Sequence, residues 1–93
     1  MSNTLKMDVA AALAVKSKID NSAEEINDKL TTLNRTVDDF IQMDWKGSSA
    51  RQFQDIFKQL MEFEQYRLQE LKSLSTMLDE EIIQWQEMSS SLG

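Results

Sequence analysis

Apolar residues recur along this chain at alternating steps of three and four. In the first half the series runs Leu5, Val9, Ala12, Lys16, Ile19, Ala23, Ile26, Leu30, Leu33, Val37 and Phe40, with Lys16 its one charged member. Residues so spaced share one helix face, and the pattern is an a/d seam sustained over several heptads. The positions between them are mostly Lys, Asp, Glu, Asn, Ser and Thr, as a solvated face should be. This predicts one helix from about residue 4 to 43, roughly 60 Å long at 1.5 Å per residue. A second series follows: Phe53, Ile56, Phe57, Leu60, Phe63, Leu71, Leu74, Leu78, Ile82, Trp85 and Met88, with a polar gap from Glu64 to Arg67. It predicts a second helix from about residue 49 to 88 and a frayed tail over 89–93. Around Phe53 to Phe63, with Met61 added, the apolar stripe covers more than one face, so this helix has more than one thing to pack against.

The two series meet at Asp44-Trp45-Lys46-Gly47-Ser48-Ser49. Gly47 is the only glycine before the last residue, and the chain has no proline. Gly47 reads as a helix C-cap or turn residue that tolerates positive φ. Ser49-Ala50-Arg51-Gln52 fits a capping box with Ser49 as the N-cap and Ser48 as its competitor. A turn over 44–48 is so short that the helices must run antiparallel. The expected fold is therefore all-α: a single antiparallel two-helix hairpin over residues 1–93. Two helices alone leave apolar flanks uncovered, and pairing into a four-helix bundle dimer would cover them. Leu30, Leu33, Val37 and Phe40 of the first helix, with Phe53, Phe57, Leu60, Leu71, Leu74 and Leu78 of the second, are expected to build the hairpin and dimer seam. Met7, Ala10, Ala11 and Ala14 form a second apolar group near the start. Alanine either favours the helix there or admits a second hairpin closely.

Composition narrows the function. Ten Lys and Arg against sixteen Asp and Glu give a net charge of −6, spread evenly: five against eight before Trp45, and five against eight from Lys46 onward. Such a chain repels nucleic-acid phosphates, which argues against a nucleic-acid role. The absence of Cys and His removes disulfides, the usual zinc and copper ligands, and every Ser-His-Asp or Cys-His constellation. Glu24-Glu25, Asp38-Asp39 and Asp79-Glu80-Glu81 are sequence neighbours that do not share a helix face, so they read as solvated charge rather than as acid/base pairs. No catalytic residue, cofactor or metal ligand is assigned, and the chain is not expected to be an enzyme. The longest apolar run, Val9 to Val15, is seven residues, against about twenty for a membrane span. Behind Lys6 that run only faintly imitates a signal peptide.

Trp45-Lys46-Gly47, with Ala50 and Phe53 behind it, spells W-x-G-x-x-A-x-x-F. At mid-chain, between two forty-residue helical patterns, it resembles the Trp-X-Gly (WXG) family of about hundred-residue bacterial type VII secretion proteins, the ESAT-like proteins. The resemblance extends over the whole length, including the opening Leu5-Lys6-Met7-Asp8. It implies a helical hairpin that pairs with itself or with a related WXG-type hairpin. It also implies secretion without a cleaved signal peptide, through a machine driven by an FtsK/SpoIIIE-type ATPase, and roles in virulence or interbacterial competition. Trp45 and Gly47 then form the turn used for export or partner recognition. The family's export signal after the second helix has the form Y-x-x-x-D/E, next to the partner's turn. Here Trp85 stands where that tyrosine would be, and Ser89 stands where the acid would be. Tyr66-Arg67-Leu68-Gln69-Glu70 fits the pattern but falls mid-helix, and reads as chance. The missing acid raises an alternative: a cytoplasmic adaptor hairpin that binds the helical N-terminal region of a larger toxin and presents it for export. A plain structural coiled-coil module is a third reading, but it gives no reason for Trp45 at the tip.

Overall fold

A computed structural model describes residues 6–92 of the chain, including the side chains of residues 6–90. Two long helices account for nearly all of it: α1, Val9–Met43, and α2, Ser48–Leu92. They fold back on each other into an antiparallel hairpin, a rod 68 × 22 × 19 Å. Leu5, the first position of the expected seam, lies outside the described residues.

α1 starts later than the apolar spacing suggests. Asp8 has an extended backbone, and its Oδ1 accepts a hydrogen bond from the Ala11 N–H at 3.0 Å. A carboxylate that satisfies an otherwise unpaired N–H of the first turn is a strong stop to further helix on its N-terminal side. The tail shows the opposite departure. Ser89 to Leu92 continue α2 rather than fraying, since nothing between Met88 and Gly93 breaks a helix and serine costs it only about 0.5 kcal/mol per residue.

The helix–helix contact is a narrow seam. In α2 it follows Ala50, Gln54, Phe57, Met61, Glu64, Leu68, Leu71, Ser75, Leu78, Ile82 and Trp85, each buried or half-buried. That is an unbroken alternation of four and three. Ile82 is its most enclosed member at 1% exposure. Leu68 and Ser75 are buried inside what the sequence presents as polar surroundings. In α1 the inward row matches the expected seam through Ala23, then takes two consecutive steps of four, Ile19 to Ala23 to Asn27, before Leu30, Val37 and Ile41. A helix wound at 3.6 residues per turn drifts about 20° per heptad from a strict seven-residue repeat. Ile26, Leu33 and Phe40, predicted to face the partner helix, are carried outward by that drift and stand 39%, 45% and 47% exposed. Ile41 takes the enclosed place instead.

One polar cluster fixes the alignment of the two helices. The Lys16 Nζ pairs with Asp20 Oδ2 at 2.8 Å, and the Ser75 hydroxyl of α2 donates to Asp20 Oδ1. The hydrogen bond from Lys16, followed by that from Ser75, holds the Asp20 carboxyl below its ordinary pKa. The same hydrogen bond raises Lys16, with Asp79 adding a smaller attraction.

Candidate protein interface

The turn places an aromatic cluster at one end of the rod. Asp44 closes α1, its N–H donating to the Phe40 carbonyl at 2.8 Å. The Lys46 ammonium folds back onto the Gln42 carbonyl, one of the unpaired acceptors at the end of the helix. Gly47 has φ +116°, a conformation that L side chains rarely adopt, and a Cβ there would meet nothing within 4 Å. Glycine is therefore required by backbone conformation and not by crowding. The Gly47 carbonyl accepts from the Arg51 N–H at 3.2 Å, and α2 begins at Ser48. The capping box expected at Ser49 is not formed: Ser48 and Ser49 both lie inside the first turn, because the turn at Gly47 already sets the helix going one residue earlier. The fully buried Ala50 gives α2 a small side chain where the helices come together.

Trp45 is half-buried between one ring from each helix. Its ring centroid lies 5.9 Å from Phe40, tilted 45°, and 5.4 Å from Phe53, tilted 54°. Phe53 in turn stacks on Phe57, 6.3 Å away at 7°. These tilted and stacked arrangements are the favourable ones for aromatic pairs. Trp45 thus closes the end of the hairpin and still offers part of its ring to solvent. Trp85 lies at the other end, also half-buried, in a groove shared with Lys6, Met7, Val9, Met88 and Ser89. Ser89 supplies no acid there. Tyr66 sits exposed in the middle of α2, far from either end.

The residues expected to form the seam divide into two sets. Phe57 is buried, and Leu30, Val37, Leu71 and Leu78 are half-buried along the helix–helix contact. Leu33, Phe40, Phe53, Leu60 and Leu74 face out. In α2 the outward set belongs to a second heptad row that runs one residue ahead of the seam: Phe53, Ile56, Leu60, Phe63, Arg67, Glu70, Leu74, Met77, Glu81, Gln84 and Met88. Ile56 and Met77 are 67% and 61% exposed. Ile26 and Arg67 border one groove, and Phe40 and Phe53 flank Trp45, so the outward rows of both helices lie on one side of the rod. The groove on the other side sets Thr31, Asn34, Glu62 and Gln65 beside Leu30 and Met61. The two outward rows give their side of the rod an apolar face. Apolar spacing gives Arg67 no role beyond a polar gap and gives Glu70 none at all. The signal that could have found both is their place in the centre of this second row. At the base, Ala10, Ala11 and Ala14 are exposed.

Among the described residues, no helix is long and apolar enough to cross a membrane. Residues 4–82 match the WXG100 family, described as proteins of 100 residues with WXG. No curated protein and no solved structure matches the chain.

Proposed function

This chain belongs to the WXG100 family, the ESAT-like, secretion-associated helical proteins, and on that premise we propose that it is a type VII secretion substrate or co-secreted partner acting by protein–protein contact. It travels with a copy of itself or a related hairpin and engages an FtsK/SpoIIIE-type ATPase. The observation that carries this reading is the tip. The W-x-G turn holds a part-exposed tryptophan between Phe40 and Phe53 at the end of a rigid rod, and tryptophan is enriched among residues that dominate binding energy. The apolar outer face supplies the surface for the companion chain.

The test is fractionation of the native host, with and without the secretion ATPase, blotting washed cells and medium beside a cytoplasmic lysis marker. ATPase-dependent appearance in the medium is expected. Retention in both strains overturns the substrate reading. It would favour the second one, a cytoplasmic adaptor for a larger toxin. Ser89 motivates that second reading, because it leaves the far end of α2 without the acid of the family's export signal. Capture of a toxin's helical N-terminal region from the host would then be expected.

A further inference from the structure

The chain holds six methionines and no cysteine, so every sulfur atom in it is a thioether. Among the described residues these thioethers stand in graded surroundings. Met61 is half-buried on the helix–helix seam, and Met7 is half-buried in the groove that holds Trp85. Met77 and Met88 are exposed. Met43, at 77%, is more exposed than any other large apolar side chain among the described residues.

Packing within the hairpin does not account for Met43. Ile41 fills the seam at the end of α1, and the outward row of that helix reaches its last member at Phe40. Met43 belongs to neither, and as the last residue of α1 it stands where lysine or glutamate would serve the helix equally well. Its position relative to the tip is distinctive. Met43 follows Phe40 by three residues, hence on the same side of the helix, and precedes Trp45 by two. Phe40 and Trp45 are ring partners in the aromatic cluster. The thioether thus extends the exposed apolar edge of the tip past the rings. Methionine is unbranched and polarisable, suited to adaptable apolar contact. It is also open to a chemistry that its neighbours Phe40, Phe53 and Ile56 do not share. A lone pair of the Met43 Sδ attacks one oxygen of hydrogen peroxide, and the S–O bond forms as the O–O bond breaks. The departing hydroxide takes the proton from the sulfur-bound oxygen and leaves as water. Sulfur loses two electrons and the peroxide gains them. The product is a polar, chiral sulfoxide that methionine sulfoxide reductases can reverse. On the surface at a helix end this change leaves the fold intact, whereas the same change at Met61 would set a polar group into the seam.

We propose that Met43 is a methionine-oxidation site, converted by peroxide to the sulfoxide ahead of the seam methionine, and that the sulfoxide switches off recognition at the W-x-G tip. The inference rests on the reading of the tip as a recognition surface and adds a reversible redox control to it.

Two measurements on the full chain test it. Limited treatment with hydrogen peroxide, followed by peptide mass mapping, should show the one-oxygen adduct at Met43 severalfold sooner than at Met61, because susceptibility follows exposure. Circular dichroism at that stage should match the untreated protein, and methionine sulfoxide reductase should remove the adduct. Oxidation of Met61 as early as Met43, or loss of helicity with Met43 alone oxidised, overturns the site. The second measurement is ATPase-dependent export from the native host. Met43→Gln, which carries a polar group of similar length, should be exported severalfold less than Met43→Leu, with helicity recorded for both. Equal export of the two folded variants overturns the effect on recognition. Retention of the wild type with and without the ATPase instead removes the type VII reading, and the control of export with it, while the peptide map still decides whether Met43 is the oxidation site.

Discussion

Gly47 and Asp20 each set the hairpin at a single residue. Gly47 holds a positive φ with open space around it, so Gly47→Ala is expected to cost about 1–2 kcal/mol through backbone conformation alone. Urea denaturation checks this, and an unchanged midpoint would mean that the turn accepts another conformation. Asp20 joins the helices through Lys16 and Ser75. Its pKa is lower in the folded chain than its ordinary value. Its contribution to stability is therefore complete above the ordinary carboxylate pKa and is lost as pH falls through the lowered one. Melting temperatures taken from neutral pH into acid should fall more steeply for the wild type than for Asp20→Asn. Parallel curves would mean that the carboxylate gains nothing from its partners in the folded state. Little of this is legible in the sequence. Lys16 stands out as the charged member of an apolar row, but its partner Asp20 is a turn away and Ser75 lies on the other helix. Asp8 as N-cap is hidden because apolar spacing continues past it to Leu5.

For the helices, number, class and direction follow directly from the three-and-four spacing and the lone internal glycine. The register of α1 does not. Reading Ile26, Leu33 and Phe40 as seam residues assumes a strict seven-residue repeat, whereas the helix drifts and brings Asn27 and Ile41 inward. In α2 the doubled stripe near Phe53 to Phe63 is visible in the sequence, but spacing alone does not separate two superimposed rows. The folded hairpin does, with Phe57, Leu68 and Ile82 inside and Phe53, Ile56 and Leu60 outside. The polar gap at Glu64 to Arg67 obscures the point further, since Glu64 lies on one row and Arg67 on the other. Adjacent isoleucines test this register. Ile82→Ala should destabilise the protein by about 2–4 kcal/mol, and Ile83→Ala, at an exposed site, by well under 1 kcal/mol. Equal losses in urea unfolding would place the seam elsewhere.

The whole molecule is a rod with its two tryptophans at opposite ends. Trp45 and Trp85 are forty residues apart along a single helix and its turn, roughly 60 Å at the helical rise. No bend in the hairpin brings them together. An export element built from both a W-x-G turn and the far end of α2 therefore needs two chains side by side in opposite directions. The tip is legible in the sequence as a motif, W-x-G. The half-exposed setting of Trp45 is not, because it depends on Phe40 drifting outward to meet the ring and on Phe53 approaching from α2. Under the proposed function that half-exposed ring serves as a recognition surface as well as a cap. Two aromatic contacts of this kind are worth about 0.5–1.5 kcal/mol each, too little to unfold two long helices. The most direct measurement is ATPase-dependent export of Trp45→Ala, with its helicity recorded by circular dichroism on the same purified variant. Helicity close to wild type and loss of export are expected. Export at the wild-type level without the tryptophan, or collapse of the helices on its removal, would contradict a recognition role for the tip.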